Sequence, residues 1–184
     1  MKKHLLPSLL GLAILATSGS AQAATRTVFI SGSDLTDGSS TAGALGVAMP
    51  DAVNSSVLIN LTLPKGFKPN STATLQLRMV GGGLSCGITL TAAGTFRLRP
   101  GAVVAITPSP ASGLTIVGAG TFTTPAAAIQ VFTKKFKLAP PTSGAGQKTG
   151  DTVAVIIGRA GGGAGDTCVG SLTVTSVKFT YQIP

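Results

Sequence analysis

Few side chains in this sequence have the chemistry to catalyse a reaction. The acids are five aspartates with no glutamate, and the only histidine, His4, lies near the N-terminus. Without a histidine in the rest of the chain, Ser-His-Asp and Cys-His catalysis lack their general base, and an imidazole metal site lacks its ligand. We therefore expect that the protein is not an enzyme. We also expect no catalytic residue, no metal ligand and no bound cofactor.

The five aspartates are the remaining candidates for acid–base chemistry. Each of them lies beside a glycine, serine, threonine or proline, which is the usual setting of an aspartate in a turn. A hydrolase or lyase that uses paired carboxylates would need two of them, such as Asp151 and Asp166, to converge in one cleft. The turn setting favours a structural role instead.

The only two cysteines, Cys86 and Cys168, each follow a glycine-rich turn. An even pair in an exported chain predicts one disulfide, which here would close a long loop and stabilise the fold by about 4–5 kcal/mol. The second turn, 156–170, also carries Arg159 and Asp166. We expect these two to pair across the turn as a surface contact of about 0–1 kcal/mol.

The basic residues suggest a candidate anion-binding surface, formed by the cluster Lys134, Lys135 and Lys137 together with Arg97 and Arg99, which alternate along one strand. Solubility and protection of a sheet edge are the alternative explanation of these charges. Nucleic acid is not the expected partner, because its sites on β-folds add stacking aromatics, and this chain has only seven phenylalanines and one tyrosine. The expected partners are the protein itself, another surface protein or a polysaccharide.

The N-terminus has the three parts of a bacterial-type export signal. A basic start is followed by an apolar stretch, Leu5–Ala16, and by Ala21-Gln22-Ala23, which fits the cleavage rule. We expect a signal peptide over 1–23 and a single domain over 24–184, with no transmembrane segment after cleavage. The mature chain would lie in the periplasm, on the cell surface or outside the cell, and would carry a net charge of +7 once Lys2 and Lys3 are removed.

The elements that must position these side chains are strands. Short alternating runs of β-branched and apolar residues, punctuated by Gly, Pro, Ser, Asn and Asp, predict an all-β fold: a single two-sheet sandwich, jelly-roll-like, with one disulfide. In the run 73–80, the pattern places Leu75, Leu77 and Met79 on one face and Gln76 and Arg78 on the other.

Three further patterns predict local geometry. The run 152–158 is apolar on both faces, which favours a central strand. The apolar phase slips by one residue within 128–139 and again within 172–183, which predicts a β-bulge in each. The runs 86–92 and 95–99 are predicted to form a hairpin joined near Ala93-Gly94.

The segment from Gly150 to Tyr181 resembles the C-terminal jelly-roll-like β-sandwich module of bacterial and phage-associated surface proteins of unknown function. The residues that carry this resemblance are Gly150-Asp151, Arg159, Asp166-Thr167, Gly170 and Tyr181. Cys168 and Ser171 depart from it, since they stand where the module has Tyr and Asp. The resemblance implies a jelly-roll-like fold, a role in surface structure or binding, and no catalytic residues.

A second resemblance is to fimbrial subunits, which are small exported sandwiches with one disulfide and an aromatic near the end of the last strand. The leading hypothesis is a non-catalytic exported β-sandwich with a surface-structural or binding role. One alternative is a fimbria-like fibre subunit assembled by β-strand exchange, with Ala24–Ser33 as the donor strand. Another alternative is a carbohydrate- or anionic-polymer-binding module.

Overall fold

A computed structural model describes residues 23–37, 41–43, 46–81, 83–98, 115–126, 131–139 and 149–184. Nearly all of the expected signal peptide lies outside these ranges. No helix in the described part of the chain has the length and apolar character needed to cross a bilayer. The described elements are one 3-10 helix, Gly32–Asp34, and the strands β1 (Thr25–Ser31), β2 (Thr36–Asp37), β3 (Thr41–Gly43), β4 (Gly46–Met49), β5 (Ser55–Thr62), β6 (Ala73–Gly81), β7 (Gly87–Leu98), β8 (Thr115–Val117), β9 (Gly120–Thr123), β10 (Phe132–Ala139), β11 (Thr152–Arg159) and β12 (Leu172–Gln182).

The strands form two antiparallel sheets that pack face to face, which confirms the predicted two-sheet sandwich. Sheet A has the order β3-β4-β12-β6-β10-β8, with β1 paired to the far end of β12, and sheet B has the order β2-β5-β11-β7-β9. From β4 onwards, consecutive strands of the described ranges alternate between the two sheets, as they do in a jelly roll. β11 pairs with a strand on each side, as its two apolar faces predict.

The core lies between the sheets and is built from the apolar residues that alternate along each strand. In β6, Leu75, Leu77 and Met79 are buried, while Gln76 and Arg78 face outwards, as predicted. Aromatic side chains from sheet A fill the same layer, among them Phe136 of β10 and Phe179 of β12. Burial of this apolar surface is the main force that holds the sheets together.

The predicted bulge in the last strand is confirmed. Pairing of β12 with β6 is regular up to Val174 and resumes at Ser176, so that Thr175 is an extra residue. The slip keeps Leu172 and Val174 on the inner face before it, and Val177 on the same face after it. Without the bulge, half of the strand would turn its apolar side chains towards solvent.

Two predictions of local geometry are wrong. β10 begins at Phe132 and pairs with β6 in one unbroken register to Leu138, so no bulge interrupts it. The predicted hairpin at Ala93-Gly94 is instead one continuous strand, β7, whose two halves both pair with β11. The partner strand β11 runs along both halves of β7 and holds them in line. Gly94 is the extra residue of a bulge between the two halves.

Candidate functional site

The two cysteines form the predicted disulfide, with their Cα atoms 5.0 Å apart. Cys86 directly precedes β7 of sheet B, and Cys168 lies in the segment that leads from β11 to β12 of sheet A. Thr124 supports the bridge, since its Oγ1 accepts a hydrogen bond from the Cys86 N–H at 3.1 Å. The bridge therefore fastens the loop that connects the two sheets.

Arg159 organises the same loop, and its placement corrects one expectation. The pair with Asp166 exists, at 2.8 Å, but both side chains are buried, so it is not the surface contact expected from the sequence. The guanidinium also donates to three backbone carbonyls, those of Met49, Cys168 and Gly170. The Asp166 carboxylate accepts one hydrogen bond from Nε and one from Nη2. Together with the three carbonyls, it provides an acceptor for each of the five N–H groups of the guanidinium.

Asp151 and Asp166 do not form the pair that carboxylate chemistry would need. Asp151 lies just before β11 and Asp166 follows its far end, so an eight-residue strand of about 26 Å separates them. Asp51 Oδ2 accepts a hydrogen bond from the Gly170 N–H at 2.8 Å. This hydrogen bond is the main cause that lowers the pKa of Asp51, and the nearby Arg159 charge lowers it further. The aspartates at this end of the sandwich hold the loop in place.

The structure divides the predicted basic cluster between two sides of β10. Lys135 and Lys137 are exposed on the outer face of sheet A, whereas Lys134 points to the inner side at the edge of the sandwich. There the Lys134 Nζ lies 5.1 Å from the centroid of the Phe122 ring of β9, a cation–π contact. The three lysines are close together in sequence but do not form one surface.

Arg97 of the predicted cluster does not lie in the same sheet as these lysines. Arg97 lies in β7, which belongs to sheet B, and only its backbone is described. Arg99 lies outside the described residues. The lysines of β10 gain other basic neighbours instead.

Pairing within sheet A brings Lys178 of β12 and Arg78 of β6 to the same outer face as Lys135 and Lys137. Lys178 is opposite Gln76 of β6, which is in turn opposite Lys135 of β10. A groove of about 370 Å³ crosses these strands, and we call it the basic groove. Its walls are formed by Phe29, Gln76, Arg78, Thr133, Ser176 and Lys178.

The basic groove combines positive charge with one exposed aromatic ring. Phe29 of β1 is 72% exposed, and the Lys178 Nζ lies 5.9 Å from the centroid of its ring. In the described part of the chain, no strand of sheet A contains an acidic residue. The positive potential on this face is therefore not offset by carboxylates within the sheet.

Sequence reasoning missed Arg78, Lys178 and Phe29 as members of this site. Each is an isolated residue in its own strand, so no local cluster marks it. The alternation in β6 did place Arg78 on the outer face, and the same pattern in β12 could have placed Lys178 there. What the pattern does not contain is the order of the strands, which makes these residues neighbours.

A second hollow, of about 270 Å³, lies on sheet B between β5, β11 and β7. Its centre is open because Gly158 has no side chain, and a Cβ there would approach the Thr91 Oγ1 to 2.6 Å. Asn54 and Ser56 form its rim. Arg159 also borders it, but the guanidinium is fully engaged in the loop, so this hollow offers no comparable charge.

Comparisons with known proteins gave one structural likeness. No protein-family profile matches the chain, and no curated protein matches it. Among solved structures, the chain is similar to the crystal structure of the CBM36-1 domain of a multidomain xylanase from the hindgut metagenome of Trinervitermes trinervoides. The two share 17% sequence identity with a TM-score of 0.38, over 84% of this chain and 96% of that one.

Proposed function

We propose that this protein is a non-catalytic, exported β-sandwich module that binds an anionic polysaccharide through the basic groove. The observation that carries the proposal is the gathering of Arg78, Lys135, Lys137 and Lys178 on one sheet face whose strands contain no acid. Long-range attraction from such a face raises the local concentration of an anionic ligand. Arg78 and Lys178 thus take the places beside Lys135 and Lys137 that the sequence suggested for Arg97 and Arg99.

The spacing of the charges favours a polymer over a single small anion. Neighbouring strands lie about 4.8 Å apart, so Lys135 and Lys178, with β6 between them, are based about 10 Å apart. Along β10, Lys135 and Lys137 are based about 7 Å apart. Cations at these intervals can each meet a separate charge on an extended chain, whereas one small anion would reach only one or two.

Phe29 favours a sugar chain as the polymer. An exposed ring offers a flat apolar surface against which the C–H groups of a sugar can pack, beside hydroxyl and amide groups of Ser176, Thr133 and Gln76 that can exchange hydrogen bonds with it. A nucleic acid site would call for several stacking rings in a row, and the basic groove has one.

The test is binding of the mature protein, residues 24–184, to polygalacturonate, dextran sulfate and neutral dextran. We expect binding to the two anionic polymers, weakening as salt rises, and none to neutral dextran. Lys135→Gln and Lys178→Gln should each weaken binding about fivefold, since a lysine near an anionic surface contributes about 1 kcal/mol.

Lys134→Gln is the matched control, because it removes the same charge from the same strand on the side away from the groove. Equal losses for Lys134→Gln and Lys135→Gln would show that net charge alone drives binding. Absence of binding to both anionic polymers at low salt would overturn the proposed function.

Export is part of the same proposal. The basic start, apolar stretch and Ala21-Gln22-Ala23 of the first 23 residues support it, and the disulfide suits an oxidising compartment. The mass of the protein recovered from cells should correspond to a chain that starts at Ala24. A recovered mass that retains residues 1–23 would contradict cleavage at this position.

A fibre subunit assembled by β-strand exchange is a second candidate, and one observation favours it. β1 is the first strand described, and every residue in it except Ile30 is exposed, so its release would cost little apolar burial. A chain lacking residues 24–31 should then bind a synthetic peptide of sequence TRTVFIS. Failure of a folded truncated chain to bind this peptide would exclude the exchange.

A further inference from the structure

Within the described part of the chain, β1 pairs along one of its two edges, and the hydrogen bonding shows which backbone groups point to the other edge. The Ile183 N–H donates to the Ala24 carbonyl at 2.9 Å, so residues 24 and 183 form a hydrogen-bonded pair. Hydrogen-bonded and non-bonded pairs alternate in an antiparallel ladder. The even-numbered residues of β1 are therefore bonded to β12, and the odd-numbered ones direct their N–H and C=O groups away from it.

A side-chain contact agrees with this assignment. Thr27 and Thr180 are opposite each other, and their Oγ1 atoms lie 3.3 Å apart. Side chains approach most closely in the non-bonded pairs, which is where the alternation places these two. The backbone groups that point away from β12 belong to Thr25, Thr27, Phe29 and Ser31.

The outward edge of β1 has the features of a pairing surface. Among the described residues, β1 is paired only with β12. Natural edges are commonly protected by proline, lysine, a bulge or shortness, and the seven residues of β1 contain no proline, no lysine and no bulge. Val28 and Phe29 are instead 41% and 72% exposed.

We propose that a second copy of this chain pairs with this edge, β1 against β1, in an antiparallel dimer centred on Val28. In that register, Thr25 and Thr27 of one copy are opposite Ser31 and Phe29 of the other, so all the outward N–H and C=O groups find partners. The two Val28 side chains face each other, and β-branched pairs of this kind stabilise a sheet.

A second copy suits the edge better than a charged partner because the strand is self-complementary. Arg26 is the only charge in β1, and in the Val28-centred register it faces Ile30 of the other copy, not a second arginine. The two-fold axis also keeps both outer faces on the same side of the joined sheet. The two basic grooves then form one continuous surface, with the two Phe29 rings near its middle.

The first test is self-association of the mature protein, measured by sedimentation over a range of concentrations. We expect a monomer–dimer equilibrium. Thr27→Pro removes an N–H that points away from β12, so it leaves the ladder to β12 intact, and it should raise the dissociation constant about tenfold or more. Thr27→Ala is the matched control, since it removes the same side chain and keeps the N–H group, and it should leave the constant nearly unchanged.

The second test fixes the register. Val28→Cys should give a disulfide-linked dimer on mild oxidation, because the two positions are directly opposite in a non-bonded pair. Thr27→Cys should not, since in this register the two cysteines are not opposite each other. A monomer at every concentration, equal effects of the proline and alanine variants, or no covalent dimer of Val28→Cys would each overturn the proposal.

Strand exchange is distinguished by the double variant Thr27→Cys/Thr180→Cys. Edge pairing leaves β1 on its own β12, so this bridge should form within one chain. A bridge that forms between chains would show that β1 has moved to the neighbour's β12, and it would replace edge pairing by exchange.

Discussion

At the residue scale, Arg159 shows how a short-range pattern can be right about a contact and wrong about its setting. Its pairing with Asp166 was expected from their places on either side of a glycine turn. The buried guanidinium also donates a hydrogen bond to the carbonyl of Met49. Met49 is 110 residues away in sequence and lies in β4, which belongs to the other sheet. Nothing local in the sequence indicates that acceptor.

The burial of this pair predicts a large effect of removing one partner. Asp166→Asn should lower the free energy of unfolding by about 3–5 kcal/mol, because it leaves the buried guanidinium without its counter-charge. Urea unfolding of the variant and of the parent measures this. Asp34→Asn, at an exposed aspartate, is the control, and a loss for Asp166→Asn of less than about 1 kcal/mol would match a surface pair instead.

Asp51 predicts a pH dependence of stability. The Gly170 N–H is the main group that holds the pKa of this carboxyl below its ordinary value of 3.8. A group whose pKa is depressed by folding stabilises the fold above its unfolded pKa, and this contribution is lost as the pH falls through the folded pKa. Asp51→Asn should therefore reduce the acid sensitivity of the melting temperature below pH 4. An unchanged acid limb would contradict this role.

At the element scale, the inner and outer faces of single strands were predictable and their neighbours were not. Alternation assigns Leu75 and Arg78 to opposite faces of β6, and a one-residue slip reveals the bulge in β12. The bulge predicted in β10 is wrong because Lys134 occupies an inner position, where an apolar residue is usual. The charged residue made the apolar alternation look interrupted. Its charge is accommodated at the sandwich edge by the ring of Phe122.

The candidate site illustrates the same division. Lys135 and Lys137 are recognisable from sequence because they lie close together in one strand. Lys178 joins them only because β6 lies between β10 and β12, and Phe29 because β1 pairs with β12. Strands of similar composition can pair in many orders, so this adjacency is a property of the three-dimensional packing.

The disulfide belongs to this scale because it joins β7 to the segment before β12. Cys86→Ser/Cys168→Ser should lower the free energy of unfolding by about 4–5 kcal/mol, the loop entropy expected for a sequence separation of 82. Chemical denaturation with and without a reductant gives the comparison. Reduction should lower the free energy of unfolding of the parent to that of the variant. If the reductant leaves this free energy unchanged, the bridge does not stabilise the fold.

At the scale of the whole molecule, stability should be distributed unevenly. β6, β11 and β12 each have a paired strand on both sides and a buried inner face, whereas β1 pairs with one of the described strands and has mostly exposed side chains. Hydrogen exchange, measured below the concentration of self-association, should be slowest in the first three strands and much faster in β1. Equal protection of β1 and β12 would show that β1 belongs to the cooperative core.

The alternation of strands between the sheets has a consequence for how the chain reaches this state. Among the described strands, β3 and β4 are the only consecutive pair that bond to each other, while β12 is the partner of β1, β4 and β6. Ladders that join distant segments must close long loops first, and such topologies fold slowly. A chain that is synthesised from its N-terminus therefore leaves β1 without its described partner, and β4 and β6 without one of theirs, until β12 has emerged.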